Sequence, residues 1–149
     1  LNVDGELELD LAACHMFAFG KHLVGDRRNG KIYDQSLNYY DDGGNILLRR
    51  RVYTHLSDEN KRIRYNVLKI ALETGVGLQT GQGQDPQVAL RLSKDGARTW
   101  SDSYTTSMGR VGEYQTECEF RRLGITENMT FEISISDPVK VSLIGSYIQ

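Results

Sequence analysis

The sequence predicts an all-β protein of antiparallel sheets, and three observations carry that expectation. Apolar and polar residues alternate along most of the patterned runs. In 87–93, for instance, Val88, Leu90 and Leu92 fall on one side and Ala89, Arg91 and Ser93 on the other. A period of two marks a strand with one buried face. Tight-turn dipeptides punctuate the runs: Asn29-Gly30 and Asp95-Gly96 signal hairpins, because glycine takes positive φ without steric cost and Asn or Asp bonds its own backbone. No long amphipathic helical pattern is present anywhere in the 149 residues.

The chain opens with Leu7, Leu9 and Leu11 alternating with Glu6, Glu8 and Asp10, which predicts an edge strand. The apolar run 15–19 ends at a Gly20-Lys21 turn. A short strand over 22–25 leads into the Arg28-Asn29-Gly30 hairpin, and 31–37 resumes as a strand. After the polar turn 39–45, the run 46–54 is rich in Leu, Val, Tyr and Arg and reads as another strand. Four short strands with turns between them make a sheet the size of a propeller blade, so residues 1–56 are expected to form one blade-like antiparallel sheet.

Residues 57–149 are expected to form a second antiparallel subdomain of the same larger domain. Ser57, with Asp58 and Glu59 behind it, predicts one helical turn over 56–60. Leu68, Ile70 and Leu72 alternate with Lys69, Ala71 and Glu73, favouring a strand over 62–73; Ile63, Val67 and Ile70 also fit a helical spacing. Gly75, Gly77, Gly81 and Gly83 precede Pro86 in what reads as a flexible connection. A nucleotide-binding reading of these glycines would need a helix start to receive the phosphate, and a strand follows instead. Beyond the 87–101 hairpin come an apolar-aromatic strand with Tyr114, Cys118 and Phe120, a turn at Arg121-Arg122-Leu123-Gly124, a strand over 129–136, a turn at Asp137-Pro138, and a closing strand over 139–148. The alternative architecture to blades is a β-sandwich.

Composition excludes several classes. Fifteen glycines against two prolines fit many tight turns rather than disorder. No apolar run approaches the ~20 residues that a membrane helix needs, and no signal peptide is visible. A net charge of −2 argues against generic nucleic-acid binding, which needs a basic surface. Cys14 and Cys118 lack metal spacing, and His15, His22 and His55 are scattered. No Gly-x-Ser-x-Gly elbow or His-Glu-x-x-His motif appears, and no pair of carboxylates can be placed for glycoside hydrolysis. The sequence therefore predicts no enzyme, no cofactor and no metal.

The octet Ser93-Lys94-Asp95-Gly96-Ala97-Arg98-Thr99-Trp100 resembles an Asp-box, the hairpin tip repeated in sialidase-like propellers, with Ala97 where that motif usually has glycine. The resemblance implies that Ser93, Asp95, Gly96 and Thr99 brace the turn while Trp100 packs, buried, beneath it. Taken alone, it also implies a carbohydrate-binding or glycoside-processing module. The stretches "TTSMGRVGEYQTECEFRRLG" and "FEISISDPVKVSLIGSYIQ", with "GKHLVGDRRNGKIYDQSL" and "ETGVG" upstream, resemble the packaged-DNA stabilisation proteins of short-tailed, Salmonella-type phages (podoviruses). These are tail accessory factors that form the tail hub. The resemblance runs from about Phe17 to Ile148 and corresponds to the C-terminal part of that family. Since the chain begins with Leu1 rather than Met, it is expected to be a piece of a longer protein.

The resemblance implies a structural subunit that closes the portal and stabilises packaged DNA in the capsid. It implies a hexameric ring touching the portal-bound adaptor, the tail needle and the tailspikes, and a location in the virion after synthesis in the host cytoplasm. Arg49, Arg50 and Arg51, with Lys61, Arg62 and Arg64, form the densest basic region, and Arg121 and Arg122 a second. These arginines read either as solvated strand faces or as contacts to an acidic partner or DNA phosphates, which a guanidinium meets bidentately. A nucleic-acid-binding module built on them is the third reading of function.

Overall fold

The computed structural model describes residues 9–149. Their secondary structure is all β, in antiparallel sheets. The chain divides into two compact units, one ending at Leu48 and the other spanning Arg49–Gln149. The strand expected around Leu7, Leu9 and Leu11 lies mostly outside the described residues; Leu9 itself is exposed and belongs to no strand.

Among its described residues, the first unit holds one three-stranded meander, β1 (Ala12–Ala18), β2 (Lys21–Asp26) and β3 (Ile32–Asp34). Phe19 and Gly20 connect β1 to β2 with φ values of 55° and 72°, the pair of positive angles that a two-residue type I′ hairpin requires. Asp26 organises the next turn: its Oδ1 accepts from the Arg28 amide at 2.6 Å, while its own amide donates to the Lys31 carbonyl at 2.9 Å. The Lys21–Asp34 ion pair, 3.2 Å, ties β2 to β3. No residue of 9–48 is buried.

Among the described residues of 1–56, the expected four-stranded sheet has three strands. The strand over 46–54 shortens to β4 (Arg49–Val52) and pairs with β9 (Thr130–Ile135) instead. That pairing extends a sheet with a packed core behind it, which another edge beside β3 would not supply.

The second unit contains two sheets. One has the order β10 (Leu143–Ile148), β5 (Ile63–Leu72), β8 (Cys118–Thr126); the other runs β4, β9, β6 (Gln87–Ser93), β7 (Tyr104–Ser107). Leu68, Ile70 and Leu72 of β5, with Cys118, Phe120 and Leu123 of β8, meet Val88, Leu90 and Leu92 of β6 and Phe131, Ile133 and Ile135 of β9 in one core. Tyr65 meets Phe131 edge-on at 6.3 Å, a favoured aromatic geometry. The alternation of Leu68, Ile70 and Leu72 thus wins over the helical spacing of Ile63, Val67 and Ile70.

Three local expectations are corrected. Residues 56–60 form no helical turn: Glu59 and Asn60 have φ of 46° and 59°, and Lys61 donates back to the Asp58 carbonyl at 2.7 Å, reversing the chain. The turn expected at 121–124 lies inside β8. Tyr65 pairs with Gly124 and Val67 with Arg121, so Arg122 and Leu123 together oppose Asn66 in a β-bulge. The 75–86 connection is packed rather than loose, with Gly75, Gly77 and Gly83 buried. A Cβ on Gly77 would lie 2.9 Å from the Gln84 carbonyl oxygen, so backbone occupies the space a side chain would need.

Since the core belongs wholly to the second unit, Leu90→Ala should cost about 2–5 kcal/mol in urea-induced unfolding. Ile32→Ala, on the first sheet and 71% exposed, should change that value by less than about 0.5 kcal/mol. Equal effects would contradict this placement of the core.

Candidate interaction site

The 93–101 hairpin is held by a closed set of short contacts. Ser93 Oγ donates to Asp95 Oδ1 at 2.8 Å and accepts from the Ala97 amide at 2.9 Å. Asp95 Oδ1 also accepts from the amides of Arg98 (3.1 Å) and Thr99 (3.0 Å), and Oδ2 from the Thr99 hydroxyl at 2.6 Å. Ser101 closes the base, its Oγ accepting from the Leu92 amide at 3.0 Å. The Thr99 hydroxyl and amide, then Ser93 and the Arg98 amide, hold the Asp95 carboxyl well below the usual carboxylate range. Gly96 and Ala97 both sit at positive φ, 74° and 67°. Trp100 is half-buried rather than buried; the Arg91 guanidinium lies over its ring, 5.5 Å from the centroid, an arrangement favoured by the ring's electron-rich face.

The predicted arginines separate into two groups. Arg49 donates to the Val139 carbonyl at 2.6 Å and also to the Asp137 carbonyl. Arg50 Nε faces Glu132 Oε2 at 3.6 Å, and Arg51 lies 5.6 Å from the Tyr53 ring centroid. Arg121 Nε donates to Glu119 at 2.8 Å. These four are engaged inside the unit. Arg62, Arg64 and Arg122 are exposed and form no ion pair among the described residues.

Arg62 lines a concavity of about 320 Å³ with Lys94, Ile125, Thr126, Glu127 and Asn128. Arg64 pairs across β5–β8 with Ile125, which extends the basic face along the strand. Lys94 reaches this place over Gly124: a Cβ there would lie 2.8 Å from its Nζ.

Two groups escape a reading of the sequence. Glu132, only 5% exposed, sits between Arg50 on β4 and Arg91 on β6, with Arg91 Nη1 at 3.3 Å from its Oε1. The signal was a lone acid and a lone arginine at outward positions of two strands; the register that joins them is not written locally. Lys94 was visible only as part of the hairpin.

His15 and His22, seven residues apart on the β1–β2 hairpin, stack at 5.2 Å, their ring nitrogens 3.0 Å apart, while His55 lies 3.4 Å from Ser57 Oγ. No group of three metal-ligating side chains occurs among the described residues. Cys14 and Cys118 are both free thiols, and burial pushes the Cys118 thiol up.

Two predictions concern the hairpin. Ala97→Gly should stabilise the protein by about 0.5–1 kcal/mol in denaturant melts: it relieves left-handed strain of about 1–2 kcal/mol against the greater freedom glycine brings to the unfolded chain. Asp95 is more acidic folded than unfolded, so its contribution is complete above the unfolded value of about 3.9. It is lost as pH falls through the lower folded value. Asp95→Asn should therefore melt at a lower temperature at neutral pH and show a shallower decline in acid. Parallel acid limbs in the two proteins would remove this role.

A family model described as "Bacteriophage P22 Gp10, beta-sandwich" matches residues 49–149, about two thirds of the chain. No curated protein matches the sequence. The matched residues coincide with the second unit, and the description names the alternative architecture predicted from sequence, in place of propeller blades. By the extent of this match and by its two antiparallel sheets packed on one core, the chain belongs to the bacteriophage P22 Gp10 beta-sandwich family.

Proposed function

We propose that this phage tail protein is a structural subunit of the tail hub, which closes the portal and stabilises packaged DNA inside the capsid. The action is steric: subunits in a hexameric ring interlock and obstruct the channel. The ring meets the portal-bound adaptor on one side and the tail needle and tailspikes on the other. The protein resides in the virion after synthesis in the host cytoplasm and performs no catalysis.

The observation that carries this reading, beside the family match, is the surface of residues 9–48. No residue there is buried, and Phe17, Phe19, Ile32, Leu37 and Tyr39 stand exposed, Phe19 at 94% and Leu37 at 93%. A contiguous exposed apolar patch is what a protein-covered surface presents, and these side chains supply apolar groups for one. A hub subunit, hemmed by neighbours, has such cover. The carbohydrate reading finds no support at the hairpin, because both Asp95 oxygens already accept from the turn's own donors.

The test adds the intact protein that carries this chain to DNA-filled, tail-less capsids and measures bound protein and retained DNA. Binding with reduced leakage is the expected result. Failure to bind, or leakage unchanged at saturating protein, would reject the hub assignment.

A further inference from the structure

The cations of the second unit differ in what holds them. Arg49, Arg50, Arg51, Arg91 and Arg121 are engaged by carbonyls, carboxylates or rings of the same unit. At the hairpin end of the β5–β8 pair this changes. Arg62 and Lys94 face one concavity, Arg64 continues the face along β5, and Arg122 stands in the bulge two residues before Gly124. None of these four has an ion-pair partner among the described residues.

The backbone supports their arrangement. Lys94 directly follows Ser93, whose hydroxyl is fixed within the braced hairpin. Its ammonium crosses β8 at a residue without a side chain. Arg122 has a φ of 63°, and a bulge of this kind re-aims a side chain. The hairpin of one sheet thus brings Lys94 to the concavity that Arg62, just before β5, lines from the other.

We propose that this concavity binds phosphates of duplex DNA, with Arg62 and Lys94 as the principal contacts and Arg64 and Arg122 flanking them. The assignment to DNA rests on the hub reading, under which packaged DNA is the polyanion the protein meets. The lining fits phosphate: Asn128 accompanies the cations, and side-chain amides commonly share phosphate contacts with Arg and Lys. The site is open and shallow, suited to a backbone passing over it. Glu127 lies in the same lining and opposes an anion, which limits affinity and supplies a sensitive variant. The net charge of −2 makes the contact local rather than a property of the whole surface.

The experiment is fluorescence anisotropy of a short labelled duplex of arbitrary sequence, titrated with the protein between about 50 and 200 mM salt. Three or four neutralised phosphates give a log–log salt slope of about −3. Replacing both Arg62→Ala and Lys94→Ala should weaken binding and lower the slope by about 2. Glu127→Gln should strengthen binding, a gain that no loss of fold produces. Arg28→Ala, in the other unit, should change neither. Polyglutamate of matched charge should compete poorly.

Absence of binding at the lowest salt, binding unchanged in the double variant or by Glu127→Gln, or polyglutamate competing as well as DNA would each overturn the proposal. The last result would reassign the site to an acidic protein surface. The capsid-retention assay separates this outcome from the hub reading, since a plug that acts sterically retains DNA even in the double variant.

Discussion

The position of β9 between β4 and β6 constrains the rest of the sandwich. Phe131, Ile133 and Ile135 face inward and Glu132 outward, so one register decides both core and charge. Opposite Ile133 stands Leu90, and opposite Phe131 stands Leu92. The same alignment sets Arg91 directly across from Glu132 and brings Arg50 to its other side. Slipping either neighbour by one residue would turn apolar side chains outward and strand a nearly buried carboxylate. The hydrophobic and electrostatic demands therefore select the same pairing.

Backbone packing at the other end of the sandwich uses glycine for space more than for flexibility. Gly77 approaches the carbonyls of Gln84 and Gly83, Gly75 lies beneath the Tyr114 ring, and Gly109 abuts Thr116 and the Glu113 carbonyl. The 75–86 segment consequently packs against 109–116. Phosphate-cradling glycines leave room for a ligand; these are filled by the protein's own atoms. Gly75 and Gly109 also have φ of 75° and 86°, so a side chain at either would meet both strain and collision.

The arginine-rich β4 illustrates how composition can misdirect a search for a binding face. Three consecutive arginines on an edge strand are each claimed by their own unit, through carbonyls, a carboxylate and a tyrosine ring. An edge carrying charge also resists pairing with a foreign strand. Arg62 and Lys94, which have no such partner among the described residues, come from separate places in the sequence, and the fold brings them to one concavity. Residues 9–48 present the opposite case: large apolar side chains such as Phe17, Phe19 and Leu37 stand exposed there.

Alternation in 87–93 and 68–72, and the Asn29-Gly30 and Asp95-Gly96 dipeptides, determined strands and hairpins without tertiary context. Each depends on side-chain direction or on φ within a few residues. The internal bracing of the hairpin was legible for the same reason, since each bond made by Ser93, Asp95 and Thr99 within it spans at most four positions. Strand partners were not legible. Nothing between 46 and 54 says that this strand leaves the first sheet for β9, because pairing is settled by the core available behind each edge. The 121–124 bulge and the Glu59–Asn60 reversal also waited on the fold: positive φ at ordinary residues contradicts local preference and persists only when surrounding contacts outweigh it. Glu132 between its arginines and Lys94 beside Arg62 arise from register and from the meeting of two sheets, so only the tertiary structure decided them.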